Sequence, residues 1–474
     1  MKRIHMIGVC GTAMGALAGQ LVALGHEVRG SDAMFYPPMS DKLEEWGVTT
    51  LKGFNAAHLD PSPDLVIVGN VVRRDNPEAV EMRERELPYL SMAEAIAEFM
   101  IRDKHSIVIS GTHGKTTTTA LGAHVLMSMD KDPSYLVGGA LVGYSDSFRT
   151  ASGPDFIIEG DEYDTAYFDK GPKFRHYRAQ TALITSLEFD HADIFDSVED
   201  VEAAFGLLIE STSSDGHIVV SKSAPRAFEL LRALEFLGRV TTYSADDSSA
   251  DYFASEIKVG PTGTSFKLHV RDEPIEEVTV ALWGTHSVEN ALGLFAALEA
   301  RGLERKDIAA AMATFPGVKK RLEIIGTASD ITVVEDFGHH PTAVELTIDA
   351  SRGRFGDRPL WAVFEPRSAT SRRNIFEEAY YAALKRADAV ALSSHPRLAE
   401  IPSEERFDPE RLVARLSEDG LRAVFGMNVE ELHDGLVECA RPGDVIILFS
   451  NGDFGGLSHK LLESFQTREA RRGE

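Results

Sequence analysis

Ile107-Val108-Ile109-Ser110-Gly111-Thr112-His113-Gly114-Lys115-Thr116-Thr117 is the stretch whose reading decides the fold. Its β-branched opening reads as a buried strand, its end as the start of a helix at Lys115, and glycines carry the turn between them. Such a turn aims backbone N–H groups and the positive end of a helix dipole at a phosphate. Lys115 is then placed to neutralise the β- and γ-phosphates of a nucleotide, and the Thr116 hydroxyl to ligate Mg²⁺. The spacing G-x-x-G-K-T is shorter than the standard phosphate-binding loop. A strand–helix turn with a chance Gly-Lys-Thr is the competing reading; the agreement of strand, glycines, lysine, hydroxyl and helix weighs against it. Gly111, Thr112, His113, Gly114, Lys115, Thr116 and Thr117 are the candidate nucleotide-binding residues.

Outward from this loop, apolar runs of strand length alternate with helical periods, the pattern of parallel α/β sheets. Three blocks each open with such a run. The first begins with Ile4–Val9 and continues through Glu27–Gly30 and Leu65–Val68. The second holds Ser106–Ser110, Phe156–Glu159, Thr181–Ser186 and His217–Ser221. Thr264–Val270 and Val278–Trp283 suggest a smaller antiparallel addition to it, followed by a helix from Ser287. The third holds Ile331–Glu335, Leu360–Glu365, Ala389–Ser393, Ala423–Phe425 and Val445–Ser450. The polar stretch 466–474 reads as a frayed terminus.

Composition narrows the function. The chain has 474 residues, enough for two to four domains at roughly 100–200 residues each. It carries 74 acidic and 49 basic side chains, a net charge of −25. That average field repels nucleic acid and anionic bilayers while leaving room for a local phosphate pocket. Two cysteines, Cys10 and Cys439, exclude a disulfide framework and point to a reducing cytoplasm. No apolar run reaches the length of a membrane span.

Two further strand ends belong beside the phosphate loop. Phe156-Ile157-Ile158 runs into the acidic cluster Glu159–Asp164, and Thr181–Ser186 runs into Glu188-Phe189-Asp190-His191. Ligands of open parallel sheets collect at the carboxyl ends of strands, so Glu159 and His191 are candidate metal ligands; solvated loop charges are the alternative. Near the N-terminus, Gly8, Gly11 and Gly15 with Asp32 imitate a dinucleotide fingerprint at the wrong spacing. A turn holding the diphosphate of some nucleotide, or a plain structural turn, fits better than hydride chemistry.

Together these strings closely resemble the Mur ligase family, ATP-dependent enzymes that build the peptide of bacterial peptidoglycan. The resemblance spans essentially the whole chain. It rests on Gly111–Thr117, Glu159–Glu162, Asp190-His191, Gly284-Thr285-His286-Ser287-Val288-Glu289-Asn290, Arg321 and Asp336-Phe337-Gly338-His339-His340-Pro341. It implies an α/β protein of three domains. These are a Rossmann-like N-terminal domain for a UDP-sugar (1–103), a central P-loop ATPase domain (104–316) and a Rossmann-like C-terminal domain for the acceptor (317–474).

The N-terminal turn and Asp336–Pro341 resemble the branch that acts on UDP-N-acetylmuramate itself. Within it, Glu365-Pro366-Arg367-Ser368, Glu162-Tyr163-Asp164, Tyr36–Met39 and Gly69-Asn70 look like the recycling enzymes. These attach L-alanyl-γ-D-glutamyl-meso-diaminopimelate; the alternative is the L-alanine-adding enzyme. The resemblance implies ATP and Mg²⁺, with Thr116, Glu159 and His191 on metal. It further implies Lys115, His191, Arg321 and His339 in catalysis, and Asn290, Arg321 and Asp336 around ATP. Gly11, Thr12, Asp32 and Asn70 are then the candidates for the UDP-sugar, and Arg367 the clamp for a peptide carboxylate, or else a surface ion pair. His340 reads equally as structural.

Two departures matter. Ser287 stands where the family usually has an asparagine, and no lysine occurs between Ala192 and Val220, so no carbamylated lysine can assist the metal there. The expected partners are small molecules only, with no nucleic acid or membrane, in a cytoplasmic monomer or weak homo-oligomer. A P-loop kinase or regulatory NTPase, and more remotely a nicotinamide oxidoreductase, are the readings from other classes.

Overall fold

The computed structural model describes residues 1–473 apart from 38 and 272. Pro38, within the Tyr36–Met39 string, and Glu474 therefore lie outside the described residues. Three large sheets organise the described residues, beside a two-stranded hairpin of Asp164–Ala166 and Asp169–Pro172. The first is all parallel, in the order Thr49–Lys52, Glu27–Asp32, Arg3–Ile7, Leu65–Val68, Tyr89–Ser91. Strand order reverses between Arg3–Ile7 and Leu65–Val68, which opens a crevice at their carboxyl ends. Gly8 and Gly69-Asn70 follow those two strands directly. Gly8 needs its glycine: it sits at φ +82° and donates its N–H to Ser31 O at 2.8 Å, a conformation that a Cβ would strain.

The second sheet has ten strands. At its centre Thr181–Ile184, His105–Ser110 and Asp155–Gly160 are parallel neighbours, with Ser110 in register with both Ile184 and Gly160. Buried on both faces, these strands read as continuous apolar runs. The expected antiparallel addition is larger and less separate than the sequence suggests. Tyr252–Gly260, Gly263–Val270 and Glu273–Val280 form an antiparallel meander. It is joined to the parallel strands through Arg239–Ser244.

The third sheet has six strands, with Glu323–Ala328 antiparallel at one edge. Asp336 and Phe364 each lie in register with Phe449. The segments after strands Ile331–Asp336, Leu360–Phe364 and Val445–Phe449 thus share one edge. The terminus departs from expectation: helix Leu457–Gly473 continues through most of the polar stretch. Leu461 and Phe465 bury one face of it, Arg468 donates to Ala440 O at 3.1 Å, and Glu469 accepts from Ser329 N at 3.0 Å.

Candidate functional site

Sheet register alone brings the central segments together. Because strands ending at Ser110, Gly160 and Ile184 are adjacent, the phosphate loop, Glu159–Glu162 and Thr185–His191 emerge at one edge. Thr112–Thr117, Glu159, Asp161 and His191 of these segments line a cavity of about 1040 Å³ together with Asn290, Arg321, Asp336, His339 and Arg367, whereas Gly111 and Glu162 are not in its lining. Of the candidates in the first domain only Thr12 reaches that cavity; Gly11, Asp32 and Asn70 do not. Those three stay at the first sheet's carboxyl edge, where Asp32 accepts from Cys10 N at 2.8 Å.

The loop is held from beneath. Thr112 Oγ1 accepts from Glu188 N at 2.8 Å, and His113 N donates to Ser186 Oγ at 2.9 Å. Helix Lys115–Ser128 begins at Gly114, which has φ +82°. A Cβ there would also fall 2.5 Å from Asn290 Oδ1. The first-turn N–H groups of this helix have no intrahelical acceptor, which leaves them for an anion.

Charge is concentrated at the loop. Lys115 Nζ lies 2.9 Å from Glu162 Oε2 and donates to Gly111 O at 2.6 Å. Burial pulls its pKa down, but Glu162 and Asp161 outweigh this and hold it above the usual lysine value. Thr116 Oγ1 donates to Glu159 Oε2 at 2.8 Å. Burial, reinforced by Asp161, pushes the Glu159 carboxyl upward. A half-buried acid beside a hydroxyl suits a hard divalent cation. His191 takes φ +55°, rare for a side-chain-bearing residue, and its Nε2 lies 3.5 Å from Glu162 Oε1. Burial lowers the His191 pKa, yet Glu162 and Asp190 more than offset it and the net direction is upward.

The third domain closes over this group. Thr370 Oγ1 donates to Asp190 Oδ1 at 2.8 Å and accepts from Ala192 N at 3.2 Å. His339 Nε2 is 3.7 Å from Asp190 Oδ2. Burial raises Asp190, but the bond from His339 and the nearby histidines drive it far below the usual carboxylate range. The Arg321 guanidinium lies over the Phe337 ring at 4.9 Å and faces the cavity. Asp336 is committed to the backbone, accepting from Leu322 N at 2.9 Å and Gly338 N at 2.8 Å. Arg367 occupies the space above Gly452, where a Cβ would lie 1.3 Å from its Nη1.

Three participants had no role assigned from the sequence. Lys173, buried in the cavity wall, donates to Asp161 Oδ2 at 2.8 Å and stands 4.1 Å from the centre of the Tyr163 ring. Glu162 is the partner of Lys115, and Thr370 the latch onto Asp190. Glu162 was visible within the acidic cluster; nothing local in the sequence marks Lys173 or Thr370, whose partners come from other strands. Ser287, at the departure from the family pattern, lines the cavity but donates its hydroxyl to Trp283 O at 2.8 Å.

Fold and site together define a phosphate-loop enzyme in which three α/β domains converge on one nucleotide-sized cavity. Family models match in series: the Mur ligase family catalytic domain over residues 3–104, the Mur ligase middle domain over 109–298 and the Mur ligase glutamate ligase domain over 320–452. The UDP-N-acetylmuramate–L-alanyl-γ-D-glutamyl-meso-2,6-diaminoheptandioate ligase of Escherichia coli is 37% identical over 468 residues, covering 97% of this chain and 98% of that one. A UDP-N-acetylmuramate–L-alanine ligase of Geotalea daltonii is 31% identical over 467 residues, covering 98% of each. The crystal structure of a murein peptide ligase from Psychrobacter arcticus superposes with a TM-score of 0.72 at 33% identity, covering 98% of this chain and 99% of that chain. The chain belongs to the Mur ligase family. Among the described residues no helix is long and apolar enough to cross a membrane.

Proposed function

We propose that the protein is an ATP-dependent amide ligase of peptidoglycan recycling. It joins UDP-N-acetylmuramate to L-alanyl-γ-D-glutamyl-meso-diaminopimelate in the cytoplasm. The observation that carries this reading is Arg367 at the rim of the nucleotide cavity, set in the Glu365–Ser368 string. Likeness to the tripeptide ligases supports it, since their identity exceeds that of the L-alanine ligase.

The boundaries 1–103, 104–316 and 317–474 divide the work: UDP-sugar on the first domain, ATP on the second, peptide on the third. Gly11, Thr12, Asp32 and Asn70 hold the UDP-sugar at the reversal of the first sheet. Backbone amides of residues 111–117 and Lys115 receive the phosphates, Asn290 borders the adenosine side, and Asp336 shapes the ribose side while it ties down Leu322 and Gly338. Thr116, Glu159 and His191 would hold Mg²⁺, which when bound supplies charge neutralisation between the triphosphate and the acid substrate.

In the reaction, the lactyl carboxylate attacks the γ-phosphorus. The β–γ bridging bond breaks, ADP leaves, and an acyl phosphate forms. The tripeptide amine then attacks the acyl carbon, phosphate departs, and the amine proton is lost as the amide forms. Both steps crowd negative charge, so catalysis is positioning and neutralisation. Lys115 bears on the γ-phosphate from below. Arg321 reaches it from the third domain, and His339 contacts the phosphate or acyl intermediate. Arg367 engages a peptide carboxylate as a bidentate fork. Closure through Thr370 and Asp190 keeps water from the acyl phosphate.

Carboxylate-labelled UDP-N-acetylmuramate tests the chemistry. One ¹⁸O from the lactyl carboxylate should appear in the released phosphate, and release should require the amine. A stable phosphorylated sugar, formed without an acceptor, would instead make the protein a kinase.

A further inference from the structure

His113, Glu188 and His340 meet in the cavity, and the reaction leaves their side chains without a task. His113 Nε2 lies 3.3 Å from Glu188 Oε2, and His340 Nδ1 lies 3.7 Å from the same oxygen. One ligand atom from each residue falls within 4.8 Å of the other two. Bonds of about 2.0–2.1 Å to imidazole and carboxylate in a tetrahedral site separate the donors by about 3.4 Å, close to both separations.

The surroundings favour a ligand as well. His340 is 5% exposed, so its ring has given up most of its contact with water. Its Nδ1 lone pair meets only a long 3.3 Å bond from Thr342 N. Thr342 Oγ1 donates to Glu188 Oε2 at 2.9 Å, the outer-shell support that orients a ligating carboxylate. Two imidazoles and one carboxylate suit a borderline ion such as Zn²⁺, whereas Mg²⁺ prefers oxygen donors.

We propose that His113, Glu188 and His340 form an inhibitory Zn²⁺ site, separate from the oxygen-rich pair Thr116 and Glu159. His113 belongs to the phosphate loop and Glu188 to the segment after Thr181–Ile184. His340 caps helix Pro341–Phe355 of the third domain. An ion held by all three cross-links the third domain to the phosphate loop and arrests the opening that each turnover requires. The proposal does not depend on which acceptor the enzyme uses.

The test is titration of the full-length, metal-free protein with Co²⁺ in excess Mg²⁺, followed by Zn²⁺. One equivalent of Co²⁺ should give a four-coordinate visible spectrum that Zn²⁺ abolishes, and Zn²⁺ should raise the melting temperature. His340→Ala and, separately, Glu188→Gln should each weaken binding by more than about a hundredfold, beyond the effect of losing an outer-shell partner. Glu159→Gln should keep the spectrum. Each variant is compared at its own metal-free melting temperature, so if one fails to fold the other decides. A six-coordinate spectrum, no Co²⁺ binding, binding that survives His340→Ala or Glu188→Gln, or loss in Glu159→Gln overturns the site.

Discussion

Gly114 carries two constraints at once, a left-handed backbone and contact with Asn290. Gly114→Ala must strain the first or displace the second, at a cost of about 1–3 kcal/mol for the backbone alone. The expected outcome is a lower melting temperature and loss of ATP binding by calorimetry. Unchanged ATP affinity would mean that the loop does not cradle the nucleotide. Arg321 makes the opposite kind of contribution. It lines the cavity and rests on Phe337; in the proposed mechanism it meets the phosphate only in the closed enzyme. Arg321→Ala should lower kcat far more than it weakens ATP binding; equal losses in both would place the arginine in the open state as well.

Among the elements, legibility followed burial. Strands buried on both faces read as short apolar runs, so Leu65–Val68, His217–Ser221 and Ala389–Ser393, one from each large sheet, are visible to the residue in sequence. Glu323–Ala328, at an edge of its sheet, and Tyr252–Gly260, inside the antiparallel meander, are only partly covered along their length, and their mixed polarity hides them. The phosphate loop and its acidic neighbours were legible because each motif is local in the chain. The Lys173–Asp161 pair and the Thr370 latch were not: the first is made across the short hairpin of Asp164–Ala166 and Asp169–Pro172, the second between segments of two different sheets. Thr370→Val keeps the side-chain shape and removes the bonds to Asp190 and Ala192. Hydrogen bonds to a charged group contribute about 1.5–3 kcal/mol, so kcat should fall roughly ten- to 150-fold. ATP affinity, fixed in the second domain, should hold. A normal kcat would show that closure does not run through this latch.

Across the whole molecule, buried and half-buried histidines set the response to acid. His105, His217, His286 and His340 are each pulled down to about 4, chiefly by burial, from a usual value of about 6.5. Between those two values the unfolded chain binds more protons than the folded one, so stability falls as pH falls. Asp190, held low by its histidine neighbours, acts in the same direction: its contribution is present above the unfolded carboxylate pKa and lost on further acidification. His191 works oppositely, since its raised pKa stabilises below the unfolded value and that gain is lost as pH rises through the folded one. The melting temperature should therefore drop steadily from pH 6.5 toward 4, and His217→Gln, outside the cavity, should flatten the slope without altering turnover. A flat profile over that range would contradict the burial of these rings.

The proposed division of labour among three domains converges on one choice, the acceptor. The direct measurement is phosphate release from the purified enzyme with ATP, Mg²⁺ and UDP-N-acetylmuramate, comparing the tripeptide with L-alanine. Release with the tripeptide and not with L-alanine is the predicted result, and it makes the third domain the element of specificity. Preference for L-alanine would contradict the reading of Glu365–Ser368 as a peptide site while leaving the ATP site intact.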